Sequence, residues 1–258
     1  MSTDNLKYRS FLSETSHEEQ SRILTGPAKF ELTYFNFTCI GATPRYLLAY
    51  AKADWVDNQI DPNTFDEEQA HDLPFGVMPV LKVQPKEGDG EVVVAESWVV
   101  DTFLAQRFGL LGGNAFEEQT IKAFYSHVHY LRERCLMKMT WTFADKRKVA
   151  FETFAEKQLP WWISVSEQHL ERNGANGHFF GDKITLADIH LVSTLDHFAE
   201  LPRGAEIVDK FRASPLLWRV KETVEADPRI AAWRESEEFK KLHEGGKKFY
   251  TITAVAEE

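Results

Sequence analysis

Met78-Pro79-Val80-Leu81-Lys82-Val83-Gln84-Pro85-Lys86-Glu87-Gly88-Asp89-Gly90-Glu91-Val92-Val93-Val94 is the stretch whose reading decides the fold. Met78 to Val83 reads as a strand with a proline near its start, where a missing N–H is tolerated. Lys86 to Gly90 gathers turn residues, so the chain reverses there and Glu91 to Val94 returns as the partner strand. Moving back toward the N-terminus, Phe30 to Phe35 alternates and is rich in strand formers. A loop through Thr38 follows it, then a helix from about Gly41 to Ala53. Tyr46, Leu47 and Tyr50 share one face of that helix, and Pro44 fits its first turn. Trp55 to Ile60 is a second strand, and a short helix is expected over about Asp66 to Ala70. Moving forward, Ser97 heads a helix to about Phe108. The order β-α-β-α-β-β-α is a thioredoxin-like layout.

Beyond it strand patterns disappear. Helical periodicity predicts segments at about 117–144, 146–172, 185–198, 205–210, 215–225 and 228–233. The expected fold class is therefore an α/β thioredoxin-like N-terminal domain followed by an all-α C-terminal domain. The expected boundaries are an N-terminal extension over 1–29, the α/β domain over 30–109 and a linker over 110–115. The helical domain then takes 116–240 and a tail 241–258, which either folds across a pocket or trails. Within the extension, Ser13 to Ser16 is placed to cap a helix ending near Gly26-Pro27.

Composition narrows the function. Hydrophobic residues make up 43% of the 258-residue chain and charged residues 27%, the balance of a globular protein. Seven Trp and nineteen Phe supply ring area beyond a minimal core, enough to line an apolar cleft. With a net charge of −10 and no dense Lys/Arg cluster, nucleic acid is not an expected partner. No apolar run reaches the roughly 20 residues that span a bilayer, so no membrane partner is expected either. The polar N-terminus lacks an apolar signal core, and two cysteines make no disulfide framework, so the expected setting is the cytoplasm.

Four segments in order resemble the cytosolic glutathione transferase family: Leu32 to Asn36, Leu73 to Leu81, Glu96-Ser97 and Gly181 to Asp188. The resemblance covers about residues 30 to 235. Its flavour is sigma-like, the group that holds haematopoietic prostaglandin D synthase and the S-crystallins. It implies the glutathione transferase architecture, glutathione as co-substrate, a small apolar electrophile as second substrate, and a homodimer. The reaction it implies is conjugation of glutathione or glutathione-assisted isomerisation.

On this resemblance Tyr34 is the catalytic residue. A free thiol titrates near ~8.5, and a phenol hydrogen bond to sulfur favours the thiolate. The glutathione-binding set is Tyr34, Phe65, Val77, Met78, Pro79, Glu96 and Ser97. Met78-Pro79 matches the family's cis-proline turn, which would present the Met78 backbone to the cysteinyl part of glutathione as an added strand. Glu96-Ser97 heads a helix whose free N–H groups and dipole suit the γ-glutamyl carboxylate, although the serine also reads as a plain cap. Phe37, Met137, Met139 and Trp141 are the expected co-substrate pocket. Thr185 to Asp188 reads as a structural capping box.

The chain also departs from the pattern. Thr38-Cys39-Ile40-Gly41-Ala42 stands where many sigma-like members carry Arg-Gly-Arg-Ala-Glu, so the arginine expected to steady the thiolate falls on Ile40. The Trp and Lys contacts expected before the proline turn fall near Phe65 to Ala70, with His71 read as a solvated loop residue. Cys39 is the alternative nucleophile, since omega-like relatives use a cysteine at the start of this helix for thiol transfer or deglutathionylation. A third reading is a non-catalytic scaffold or binding protein of this fold. His127 and His129 stand two apart on a helix and point apart, so no metal is expected.

Overall fold

The computed structural model describes residues 16–139 and 142–255. Its α/β part begins with helix α1 (His17–Thr25), whose Ser16 cap accepts from the Glu19 amide. Strand β1 (Ala28–Phe35), a 3₁₀ turn (Cys39–Gly41), helix α2 (Ala42–Tyr50) and strand β2 (Trp55–Ile60) follow. Then come helix α3 (Glu67–His71), strands β3 (Val80–Pro85) and β4 (Val92–Ala95), and helix α4 (Ser97–Arg107).

The sheet runs β2-β1-β3-β4. β1 pairs parallel with β2 and antiparallel with β3, and β4 closes the hairpin. A parallel pair needs a crossover, which α2 supplies, whereas Lys86 to Gly90 turns the antiparallel hairpin directly. α3 is capped by Asp66 and Gln69 in a reciprocal box, which holds so short a helix in place. The expected return strand is shifted by one residue, because Ala95 still pairs with Val80.

The helical part comprises α5 (Ala115–Met139), α6 (Ala144–Thr153), α7 (Leu159–Arg172), α8 (Leu186–Glu200), α9 (Gly204–Arg212), α10 (Pro215–Glu225), α11 (Pro228–Glu235) and α12 (Glu237–Val255). The single helix expected over 146–172 is interrupted by a π turn at Phe154–Gln158. Pro160 explains the break: it has no N–H to donate, and its ring crowds the preceding turn. α12 runs without interruption across the expected boundary between helical domain and tail at 240/241.

α8 is the centre of the molecule. It is buried all round, with Leu186, Ile189, Leu191, Val192, Leu195 and Phe198 at the heart of one continuous core. α2, α5, α9, α10 and α12 all pack against it. A helix wholly inside must satisfy its polar side chains internally, and α8 does so in part toward α2 and α11. Thr43 bonds His190 and Ser193 at 2.8 Å each, and Asp196 accepts from Tyr46 and, at 2.6 Å, from Arg234. The α/β sheet is thereby fixed against the helices through α2.

Candidate functional site

Strand alternation sorts the two faces of β1. Phe30, Leu32 and Tyr34 are buried toward the core, while Glu31 and Thr33 face the other side. Tyr34, next to last in the strand, sets its ring against the backbone of Gly41, where any side chain would collide with it. Its guanidinium neighbour is Arg45 of α2, 5.6 Å from the ring centroid. Arg45 is buried, pairs with Asp57 at 2.9 Å, and donates to the carbonyls of Phe37 (2.7 Å) and Phe35 (2.8 Å). It thus fixes the loop after β1 from within and puts positive charge beside Tyr34, although Ile40 replaces the arginine the resemblance leads one to expect.

The phenols of Tyr34 and, from α12, Tyr250 share the neighbourhood of the Cys39 thiol. Burial, as the largest cause, pushes both phenols well above their usual range, so both are protonated at neutral pH. Tyr250 is also bonded to His197 Nε2 at 2.9 Å. Burial lowers His197 to about 4, which keeps the imidazole neutral. Cys39 itself has a left-handed backbone, φ 42°, and is buried.

α12 forms a roof over this group. Gly245 meets the Asn36 carbonyl and Gly246 meets the Glu200 carboxylate so closely that a Cβ on either would overlap them. Glu200 accepts from Thr38 at 2.5 Å and pairs with His243 at 2.7 Å, tying α8, the β1 loop and α12 together. Phe249 stacks on Phe37 with centroids 4.7 Å apart.

The second cluster lies around the proline turn and the head of α4. Met78-Pro79 is cis, as the resemblance implies. Val77 is 49% exposed, Met78 half-buried and Pro79 buried. The cap position of α4 is Glu96 rather than Ser97, and Glu96 holds φ 72° with no side chain capping the helix. Ser97 therefore occupies the first turn, where the amides lack intrahelical acceptors. Trp98 and Val99 beside it are exposed.

These residues sort into separate groups. Tyr34 and Cys39 lie at the covered end, and Val77, Met78, Pro79, Glu96 and Ser97 form the open turn and helix head. Phe65 packs edge-on against Phe35, whose ring stacks on Phe37. The rings facing Phe37 among the described residues come from β1 and α12. Met137 is exposed on α5, the Met139 side chain and Trp141 lie outside the described residues, and His71 ends α3 rather than sitting on a loop. A groove of about 590 Å³ lies on the opposite sheet face, among Glu31, Thr33, Asn58, Lys82 and the α3 segment. It touches Phe65 and Met78 but not Tyr34. Arg45, His197 and Glu200 went unnoticed in the sequence; Tyr250 lies in the stretch expected either to fold across a pocket or to trail, where the glycine pair followed by aromatics at 245–250 hints at a helix made to pack closely.

Residues 129–237 match the family model described as "Glutathione S-transferase, C-terminal domain". The chain is 28% identical over 208 residues to hematopoietic prostaglandin D synthase of Gallus gallus, covering 79% of this chain and 94% of that protein. It is 26% identical over 215 residues to probable glutathione S-transferase 7 of Caenorhabditis elegans, covering 80% and 96%. The solved structure of prostaglandin synthase D of Nilaparvata lugens superposes with a TM-score of 0.70 at 25% identity, over 81% of this chain and 98% of that one. Among the described residues no helix is long and apolar enough to cross a membrane. With a thioredoxin-like sheet, a cis Met78-Pro79 turn and a helical partner built around α8, the chain is similar to glutathione transferases over about four fifths of its length, and residues 129–237 match that family's C-terminal domain.

Proposed function

We propose that this protein binds glutathione between the Met78-Pro79 turn and the head of α4, and uses Tyr34 to hold its thiolate for attack on a small apolar electrophile. The observation that carries the reading is the uncapped start of α4. Glu96 takes a strained left-handed conformation and leaves the first-turn amides to an outside acceptor, which a carboxylate of glutathione suits. Residues 30–109 then form the glutathione-binding unit and the helices after the 110–115 linker its partner. Tyr34, protonated and beside Arg45, donates to the sulfur. Conjugation and double-bond isomerisation both use such a thiolate. Exposed Trp98 and Val99 of α4 and Tyr130 of α5 are apolar surface for a second copy to cover, so we propose a homodimer, which a sedimentation mass of a single chain would refute.

The test is calorimetry with glutathione, then conjugation to a chlorinated nitroaromatic. Tyr34→Phe is expected to lower kcat/KM on the order of a hundredfold, the thiolate lost when the thiol pKa rises by about two units. A second reading has one observation in its favour: Cys39 opens the 3₁₀ turn that leads into α2 and holds a left-handed backbone there. On it, Cys39 is the nucleophile for thiol transfer. Cys39→Ser abolishing turnover while Tyr34→Phe retains it would establish that reading instead. No binding at millimolar glutathione would return the chain to the non-catalytic class.

A further inference from the structure

Ser97 lies in the open first turn of α4, and one helical turn further on the same helix carries Asp101, fully buried. A carboxyl in the interior needs a cation, a full set of donors or a proton. Asp101 receives one hydrogen bond among the described residues, from the Tyr125 hydroxyl of α5 to Oδ2 at 2.8 Å, and its Oδ1 has no partner there. Arg132 of α5 is just as buried but directs its guanidinium elsewhere, to the Thr43 hydroxyl (3.4 Å) and to His129 Nδ1 (3.3 Å). We propose that Asp101 is a positioning residue for glutathione. Acting through the head of α4, its carboxyl admits the carboxylate of the ligand when protonated and opposes it when ionised. The inference rests on the glutathione binding proposed above.

The surroundings of this carboxyl leave a proton as its remaining partner. Around it stand Tyr125, His129, Arg132 and Glu133 of α5 and His190 of α8. The Tyr125 ring lies 4.4 Å from that of His190 and 5.8 Å from that of His129, and His190 Nδ1 is bonded to Thr43 at 2.8 Å. α2, β3 and β4 also pack on α4. There Arg45 pairs with Asp57, Tyr46 with Asp196, Tyr50 with Arg229 and Lys82 with Glu31, while β4 carries no titratable side chain. Burial, the largest cause, raises Asp101 to about 7, against smaller downward pulls from Arg132 and the Tyr125 bond. Burial also takes His129 down to about 4 and His190 well below its usual range, so neither imidazole is a cation near neutrality.

Four residues of α-helix separate Asp101 from Ser97 by about 6 Å along the axis. Two negative charges that close, with protein interior between them, are weakly screened. The carboxylate of the ligand and that of Asp101 therefore disfavour each other, and the coupling is reciprocal. A bound ligand makes Asp101 take a proton from water, and an ionised Asp101 weakens binding. One O–H bond forms on the carboxyl and no electrons are exchanged. Trp98, on the exposed first turn, rests edge-on against Tyr125 with centroids 6.0 Å apart, so one tyrosine braces both the helix head and the carboxyl behind it.

The experiment is calorimetry with S-methylglutathione, whose sulfur carries no proton to confuse the count. Affinity is expected to fall about fourfold from pH 5.5 to 8, with about a third of a proton taken up per ligand slightly above pH 7. Repeating the titration in two buffers of different ionisation enthalpy reads that uptake on the unaltered protein. Asp101→Asn keeps an acceptor for Tyr125 but cannot ionise, and a thermal melt checks its fold. Its affinity is expected to stay within about twofold across the same range, with no proton taken up. Tyr125→Phe removes the donor that favours the anion, and should move the fall to higher pH. Zero uptake with pH-independent affinity in the unaltered protein overturns the role of Asp101 and leaves the proposed function standing, as does an unchanged pH slope in folded Asp101→Asn. If the unaltered protein binds neither glutathione nor its methylated form, the proposed function fails and this inference fails with it.

Discussion

The heads of α4 and α8 treat their first-turn amides differently. At α8, Thr185 and Asp188 close the helix start on itself. Asp188 accepts from the Phe179 amide at 2.8 Å, the Thr185 amide at 2.8 Å and the Thr185 hydroxyl at 2.7 Å, all in the interior. At α4, Glu96 is exposed, holds φ 72°, and no side chain reaches back to the amides. A helix start that satisfies its own donors has nothing left to offer a ligand. One that leaves them open at the surface, at the expense of a strained residue, is suited to an outside acceptor.

Two substitutions probe this contrast. The larger effect is expected from Asp188→Ala, which strands two buried amides and should destabilise the fold by roughly 3 kcal/mol in urea unfolding. A loss below about 1 kcal/mol would mean that the α8 box is not what anchors the core. Ser97→Ala should leave stability within about 0.5 kcal/mol while weakening glutathione binding about tenfold, equivalent to ~1.4 kcal/mol. Equal losses of stability and affinity would make Ser97 a structural residue and dissolve the distinction between the two helix heads.

The same contrast marks how far the sequence could be read. Short-range chemistry was legible: the hairpin at Lys86 to Gly90, the Thr185 to Asp188 box and the strand ending at Tyr34 depend on neighbours a few residues apart. The cis Met78-Pro79 bond came from family resemblance rather than from local propensity. What stayed hidden depends on distant partners. Nothing local says that Arg45 will reach the carbonyls of Phe35 and Phe37, or that Phe249 will stack on Phe37. Residues 241–258 read as a tail that either folds across a pocket or trails, and Gly245-Gly246 is poor helix material. Tertiary contact overrides that propensity, since only glycine lets α12 approach Asn36 and Glu200. Likewise the π turn at Phe154–Gln158 keeps a hydrophobic face buried through a proline that local rules treat as a stop.

The pairing of β1 with α12 also bears on how the protein comes to be made. Loops this long close slowly, and contacts between distant segments form late in folding. While α12 is still being synthesised, the sheet can pair and α8 can pack, but Tyr34, Phe37 and Cys39 remain uncovered. A nascent chain therefore carries an accessible thiol beside a phenol that the finished protein conceals, and thiol-reactive probes applied during translation would see a cysteine that later goes silent.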